Sequence, residues 1–77
     1  GKKDLKVYPN PAKDRLRIEA QGMVRYSVYN TMGQRIMSGN VISDGVDIDL
    51  SDCVNGMYLL KVETEGDVMV RRFVVSH

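Results

Sequence analysis

The stretch LKVYPNPAKDRLRIE, Leu5 to Glu19, sets two strand-like runs on either side of Pro9-Asn10-Pro11. Proline has no N–H to give to a ladder and holds φ near −65°, so this triplet cannot lie inside a paired strand. Asn10 precedes a proline and is biased to extended backbone, while its side chain can bond nearby backbone groups. The run after it alternates: Leu16 and Ile18 fall on one face, Arg15, Arg17 and Glu19 on the other. That is a strand with one dry and one wet face. The triplet therefore reads as a rigid joint at which an early strand leaves one sheet for another, and it discourages edge-to-edge aggregation.

Working outward, period-2 alternation dominates the chain and no segment carries a sustained helical period. VDIDLS (Val46–Ser51) sets Val46, Ile48 and Leu50 against Asp47, Asp49 and Ser51. Tyr58, Leu60 and Val62 alternate with Leu59, Lys61 and Glu63, and Val24, Tyr26 and Val28 with Arg25 and Ser27. Val68 to Val75 reads as a final strand, and Leu5–Tyr8 and Arg35–Ser38 as shorter ones. NTMGQ and TEGD place Gly33 and Gly66 where hairpins call for positive φ, and VNG with Gly56 precedes the Tyr58 strand. About seven short strands at this spacing predict an all-β, seven-stranded, immunoglobulin-like antiparallel β-sandwich.

The 77 residues bound the answer to one domain, 1–77, with a thin margin of buried surface. Gly1-Lys2-Lys3-Asp4 lacks a signal-peptide core and an initiator Met, so residues 1–4 read as a disordered linker or remnant of a longer chain. No apolar run is long enough to span a membrane. The net charge is +1, yet residues 1–35 hold eight Lys/Arg and three acids while 36–77 hold three and seven. Such asymmetry suits either a polyanionic partner or two halves that neutralise each other on packing, and the second reading is preferred.

A search for chemistry returns little. His77 is the only histidine and, as the last residue, is expected to fray. Cys53 is the only cysteine, so it has no internal disulfide partner; an unpaired thiol would allow a disulfide-linked homodimer. Asp44, Asp47, Asp49 and Asp52 are hard oxygen ligands, but their spacing is not that of a calcium loop and alternating Asp reads as a solvated strand face. No spacing supports zinc or a phosphate loop, and Arg15, Arg17 and Arg25 are too few for a nucleic-acid face. Tyr8, Tyr26, Tyr29 and Tyr58 could stack on a sugar, yet Tyr26 and Tyr58 are in phase with core positions. The expectation is a non-enzymatic module with no catalytic residue, metal or cofactor.

Four blocks in order carry a resemblance. VYPNPAKDRLRIE (Val7–Glu19), YSVYNTMGQRIMSG (Tyr26–Gly39), LSDCVNGMYLLKVET (Leu50–Thr64) and VRRFVV (Val70–Val75) resemble the type A C-terminal sorting domains of type IX secretion cargo in Bacteroidetes such as Porphyromonas. The resemblance implies an immunoglobulin-like sandwich that directs a larger cargo from the periplasm through the outer-membrane translocon to the cell surface. It further implies removal by a sortase-like surface protease and attachment to anionic lipopolysaccharide. Its signature positions are Pro9, Asn10, Pro11, Gly33, Gly56 and Tyr58, expected to be structural. The expected recognition element is the last strand: Arg71 and Arg72 supply charge, and Phe73, Val74 and Val75 an apolar anchor, with core packing as the competing role. Alternation puts Arg71 with Phe73 on one face and Arg72 with Val74 on the other. A retained adhesion or glycan-binding module on the same fold is the alternative.

Overall fold

The computed structural model describes residues 4–77, which form seven strands in two antiparallel sheets. The strands are β1 (Leu5–Tyr8), β2 (Arg15–Ala20), β3 (Met23–Tyr29), β4 (Arg35–Asn40), β5 (Gly45–Asp49), β6 (Gly56–Thr64) and β7 (Val68–Val75). One sheet runs β1-β2-β5 and the other β4-β3-β6-β7, the layout of an immunoglobulin-like sandwich. Of the expected linker, residues 1–3 lie outside the described residues and Asp4 is exposed.

Alternation sorts the side chains as the pleat requires. Leu16, Ile18, Ile48 and Leu50 from one sheet meet Val28, Leu60, Val62, Phe73 and Val75 from the other, all buried. Each such side chain contributes about 1.5–3 kcal/mol of burial, offset by ordering entropy. The wet face of the three-stranded sheet is a lattice of opposite charges: Arg15 sits across from Asp49 and Arg17 across from Asp47. Arg17 Nη1 reaches Asp47 Oδ2 at 3.5 Å, and on the other sheet Arg25 Nε lies 3.8 Å from Glu63 Oε2. The basic first half and the acidic second half thus interleave by cross-strand pairing.

Two expectations from the pattern need correction. Val24 does not share a face with Tyr26 and Val28, because the β3–β6 register shifts between Met23 and Arg25; Met23 is buried in its place and Val24 is exposed. Such a bulge resets the alternation. Gly66 does not carry positive φ, whereas Gly33 does at +82°. The β6–β7 turn is closed instead by Thr64, whose Oγ1 accepts from the Asp67 N–H at 3.0 Å while its own N–H donates to the Asp67 carbonyl at 2.9 Å.

The proline triplet is the switch between sheets. Tyr8 is the last residue paired to β2, opposite Arg17. Both X–Pro bonds, Tyr8–Pro9 and Asn10–Pro11, are cis. Past the triplet, Ala12 lies parallel to Val75 of the other sheet and is fully buried. Its N–H donates to the Val74 carbonyl at 2.7 Å, and its carbonyl accepts from Ser76 N–H at 2.8 Å. Asn10 Oδ1 accepts from the Val74 N–H at 3.0 Å. The first and last segments of the chain are thereby stitched together.

Asn10→Ala removes the acceptor of one edge amide. The expected loss is about 1 kcal/mol in urea unfolding, with hydrogen exchange at the Val74 amide accelerated and that of β2 amides unchanged.

Candidate recognition site

Strand β7 is an edge of the four-stranded sheet and pairs with β6 along its whole length, from Gly56 opposite Val75 to Glu63 opposite Val68. Its side chains alternate between core and solvent only over Phe73 to Val75; Arg71, on the Phe73 face, lies beyond the core and is exposed. Phe73 and Val75 are each 1% exposed and belong to the core, and Phe73 stacks on Tyr58 with ring centroids 5.7 Å apart. The apolar anchor expected from them is therefore corrected: both spend their surface inside the sandwich, because they project from the dry face. Arg71 and Arg72 are exposed and Val74 is half-buried, so these three of the five candidates reach solvent. Neither arginine has a carboxylate within ion-pair distance among the described residues. Val68 and Val70 add apolar surface beside them, exposed by 62% and 57%.

Three of the signature positions, Gly33, Gly56 and Tyr58, sit in turns and at the start of β6. Asn30 organises the β3–β4 hairpin: its Oδ1 accepts from the N–H groups of Met32 and Gln34, both at 3.0 Å. Gly33 supplies the left-handed residue of that turn. Gly39, the last glycine of the same block, faces the ring of Tyr26 so closely that a Cβ there would come within 2.7 Å of it. At the start of β6, Gly56 takes φ +150° and Tyr58 turns its ring inward. The Tyr58 hydroxyl donates to the carbonyl of Val54, four residues upstream. A tyrosine bonded back across the connection into this strand is the tyrosine corner of immunoglobulin-like domains. Burial pushes the Tyr58 phenol up, which favours its protonated, donating form.

The last residue is held rather than frayed. The His77 N–H donates to Asn55 Oδ1 at 2.9 Å, and its ring Nε2 meets the Cys53 carbonyl at 2.7 Å. A carbonyl only accepts, so Nε2 carries the proton. His77 Nδ1 lies 3.5 Å from Asp14 Oδ1. This ring engages the main chain of Cys53, while burial, with Asp52 and Asp49 adding to it, pushes the Cys53 thiol up. A thiol so placed is a weak nucleophile.

On the other sheet, Glu19 accepts from the Tyr8 hydroxyl at 2.9 Å and from Arg17 Nε at 3.1 Å, and both contacts hold its carboxyl low. Ser51 does the same for Asp49 through its hydroxyl at 2.7 Å and its N–H at 2.9 Å. Both carboxylates accept hydrogen bonds from protein donors.

Comparison with known proteins fits this arrangement. A family model, secretion system C-terminal sorting domain, matches residues 6–76. The chain belongs to this family, the sorting domains of type IX secretion. Over 73 residues it is 33% identical to beta-agarase D of Zobellia galactanivorans, covering 94% of the chain and 15% of the agarase. Its fold is similar to part of PorZ, described as an essential bacterial surface component of the type IX secretion system of Porphyromonas gingivalis. That match has a TM-score of 0.80 and 20% identity over 95% of this chain and 11% of PorZ. The sulfur carrier protein SoxY from Chlorobium limicola f thiosulfatophilum shares the sandwich more loosely, with a TM-score of 0.50 and 15% identity over 97% of this chain and 79% of SoxY. A sorting domain is a signal and structural element and not a catalyst; such a tail marks proteins exported to the cell surface or secreted.

Tyr58→Phe keeps the ring stack and deletes one hydroxyl. The expected cost is about 1 kcal/mol in urea unfolding, with no change in the far-ultraviolet spectrum. Acid provides a second check. Glu19 and Asp49 titrate lower when folded than their ordinary 4.5 and 3.8, so the unfolded chain binds their protons first. Their stabilisation is complete above those values and is lost as pH falls through the folded ones. The urea midpoint is expected to hold from pH 7 to 5 and to fall below the ordinary values, with a shallower fall in Glu19→Gln.

Proposed function

We propose that this chain is the sorting signal of a larger cargo protein, read by the outer-membrane translocon of type IX secretion through the exposed edge of β7. The observation that carries the reading is the family match over residues 6–76, which spans all four sequence blocks. Arg71, Arg72 and Val74 are the candidate contacts; Phe73 and Val75 act indirectly, by fixing the strand that presents them. In transit the cargo passes the periplasm. At the surface, a sortase-like protease removes the domain and attaches the cargo to anionic lipopolysaccharide. Pro9, Asn10, Pro11, Gly33, Gly56 and Tyr58 serve by holding the fold.

The test is export of a periplasm-directed fluorescent reporter fused ahead of residues 1–77 in a type IX-competent host. Deleting Val70–His77 is a blunt control, since it also strips Phe73 and Val75 from the core. The sharper control is Arg71→Ala/Arg72→Ala, which touches only exposed side chains. The intact fusion is expected at the surface and the arginine variant, still folded by circular dichroism, held in the periplasm. Retention of the intact, folded fusion inside the cell would sink the reading.

A further inference from the structure

The sandwich has four sheet edges, and three are blunted. Strand β1 has four residues and is stopped by Pro9; β5 has five and points Asp47 and Asp49 outward. Strand β4 joins β3 through a register shift at Val28/Tyr29 and carries Arg35, Ser38 and Asn40. These are recognised ways of refusing a further strand. Strand β7 differs: it has eight residues, pairs with β6 without a register shift, and contains no proline.

Its hydrogen-bonding sites can be placed. The Val74 N–H and carbonyl point away from β6, toward Asn10 and Ala12. Along an antiparallel strand this direction recurs every second residue, so the backbone groups of Val68, Val70 and Arg72 also point outward. No hydrogen bond from another described residue meets them. The segment from Asn10 to Ala12 thus seals the edge at Val74 and Ser76 and leaves open the stretch from Val68 to Arg72.

The open stretch has a chemical polarity. Val68 and Val70 lie at one end beside Glu65 and Asp67; Arg71 and Arg72 lie at the other with no carboxylate partner among the described residues. Adjacent residues project to opposite faces, so the two guanidinium groups flank both sides of the edge. An incoming strand matches them with two adjacent acidic residues, one on each face, followed by β-branched residues over Val68 and Val70.

We infer that the β7 edge between Val68 and Arg72 is a binding site for an extended chain carrying an acidic pair next to an apolar β-branched run, taken up as an eighth strand. This rests on the proposed reading of β7 as the recognition element and specifies the chemistry of its partner. The main chain supplies affinity, and the arginine pair fixes register and direction. The acidic pair lies at the amino end of an antiparallel partner.

The experiment titrates the nitrogen-15-labelled chain with the peptide acetyl-Glu-Glu-Val-Thr-Val-Thr-Val-amide and, separately, with its Lys-Lys counterpart. Amide shifts and slowed exchange are expected at Val68, Val70 and Arg72, with binding about tenfold weaker for the lysine peptide, the equivalent of two lost charge pairs. Val70→Pro deletes one outward N–H without breaking the β6 ladder and is expected to abolish binding. Arg71→Glu/Arg72→Glu is expected to invert the peptide preference, a reversal that no merely structural role produces. Equal affinity for both peptides, perturbation at β4 instead, or protection of the edge by self-association without peptide would overturn the site. Normal export of the charge-reversed reporter fusion would overturn its role as the export contact, whereas failure of the unaltered fusion to leave the cell bears on the sorting reading alone.

Discussion

The structure depends on the stitch between residues 10–12 and 74–76. Three hydrogen bonds join segments more than sixty residues apart: Val74 N–H to Asn10, Ala12 N–H to Val74, and Ser76 N–H to Ala12. Ala12 is fully buried, so the stitch also closes the core at the flank where the chain leaves the first sheet after β1. Prolines on either side keep this segment from pairing as an ordinary strand and aim it across the gap. The consequence is that β7 is not an appendage. Without it Tyr58 loses its stacking partner, Ala12 its hydrogen-bond partners, and the core Phe73 and Val75.

The two outer faces are built on different principles. On β1-β2-β5, opposite charges alternate across strands, and Tyr8 and Arg17 converge on one carboxylate of Glu19. Each exposed pair stabilises little, but the lattice leaves few charges seeking a partner and so gives a surface with weak cause to bind. On β4-β3-β6-β7, Met57, Leu59, Val68 and Val70 are exposed; Arg25 pairs with Glu63, but Lys61, Arg71 and Arg72 have no carboxylate within ion-pair distance among the described residues. Lys61 lies over the Tyr29 ring at 5.9 Å, and Arg71 and Arg72 stay in solvent. The asymmetry of net charge along the sequence is thus spent on one sheet and partly held in reserve on the other.

Much of this was legible in the sequence because period-2 alternation maps directly onto the faces of a strand. VDIDLS gave its inward and outward residues directly, and the isolated Pro9-Asn10-Pro11 gave the sheet switch. What escaped was whatever depends on a partner distant in sequence. Asn10 caps a strand 64 residues away rather than its own turn. The bulge at Met23/Arg25 resets the face of β3 through a pairing that a local window does not contain. His77 is anchored by Asn55 and Cys53, although a terminal position by itself suggests fraying. Phe73 and Val75 show the limit of reading a motif by composition: an apolar pair beside two arginines looks like an anchor, and only the facing sheet makes it core.

An open edge is an aggregation hazard, and the same two arginines that select a partner also answer that hazard. In a parallel, in-register pairing of β7 with its own copy, Arg71 would lie beside Arg71 and Arg72 beside Arg72. Like charges directly opposed across strands destabilise the pair. Neutral apolar strands gain from Val68 and Val70 but leave both guanidinium groups unmatched. Only a chain with acids in the right place satisfies the backbone, the valines and the charges together. Specificity here is a difference between partners rather than a maximum of affinity, and it is obtained by leaving two cations unpaired on an otherwise receptive strand.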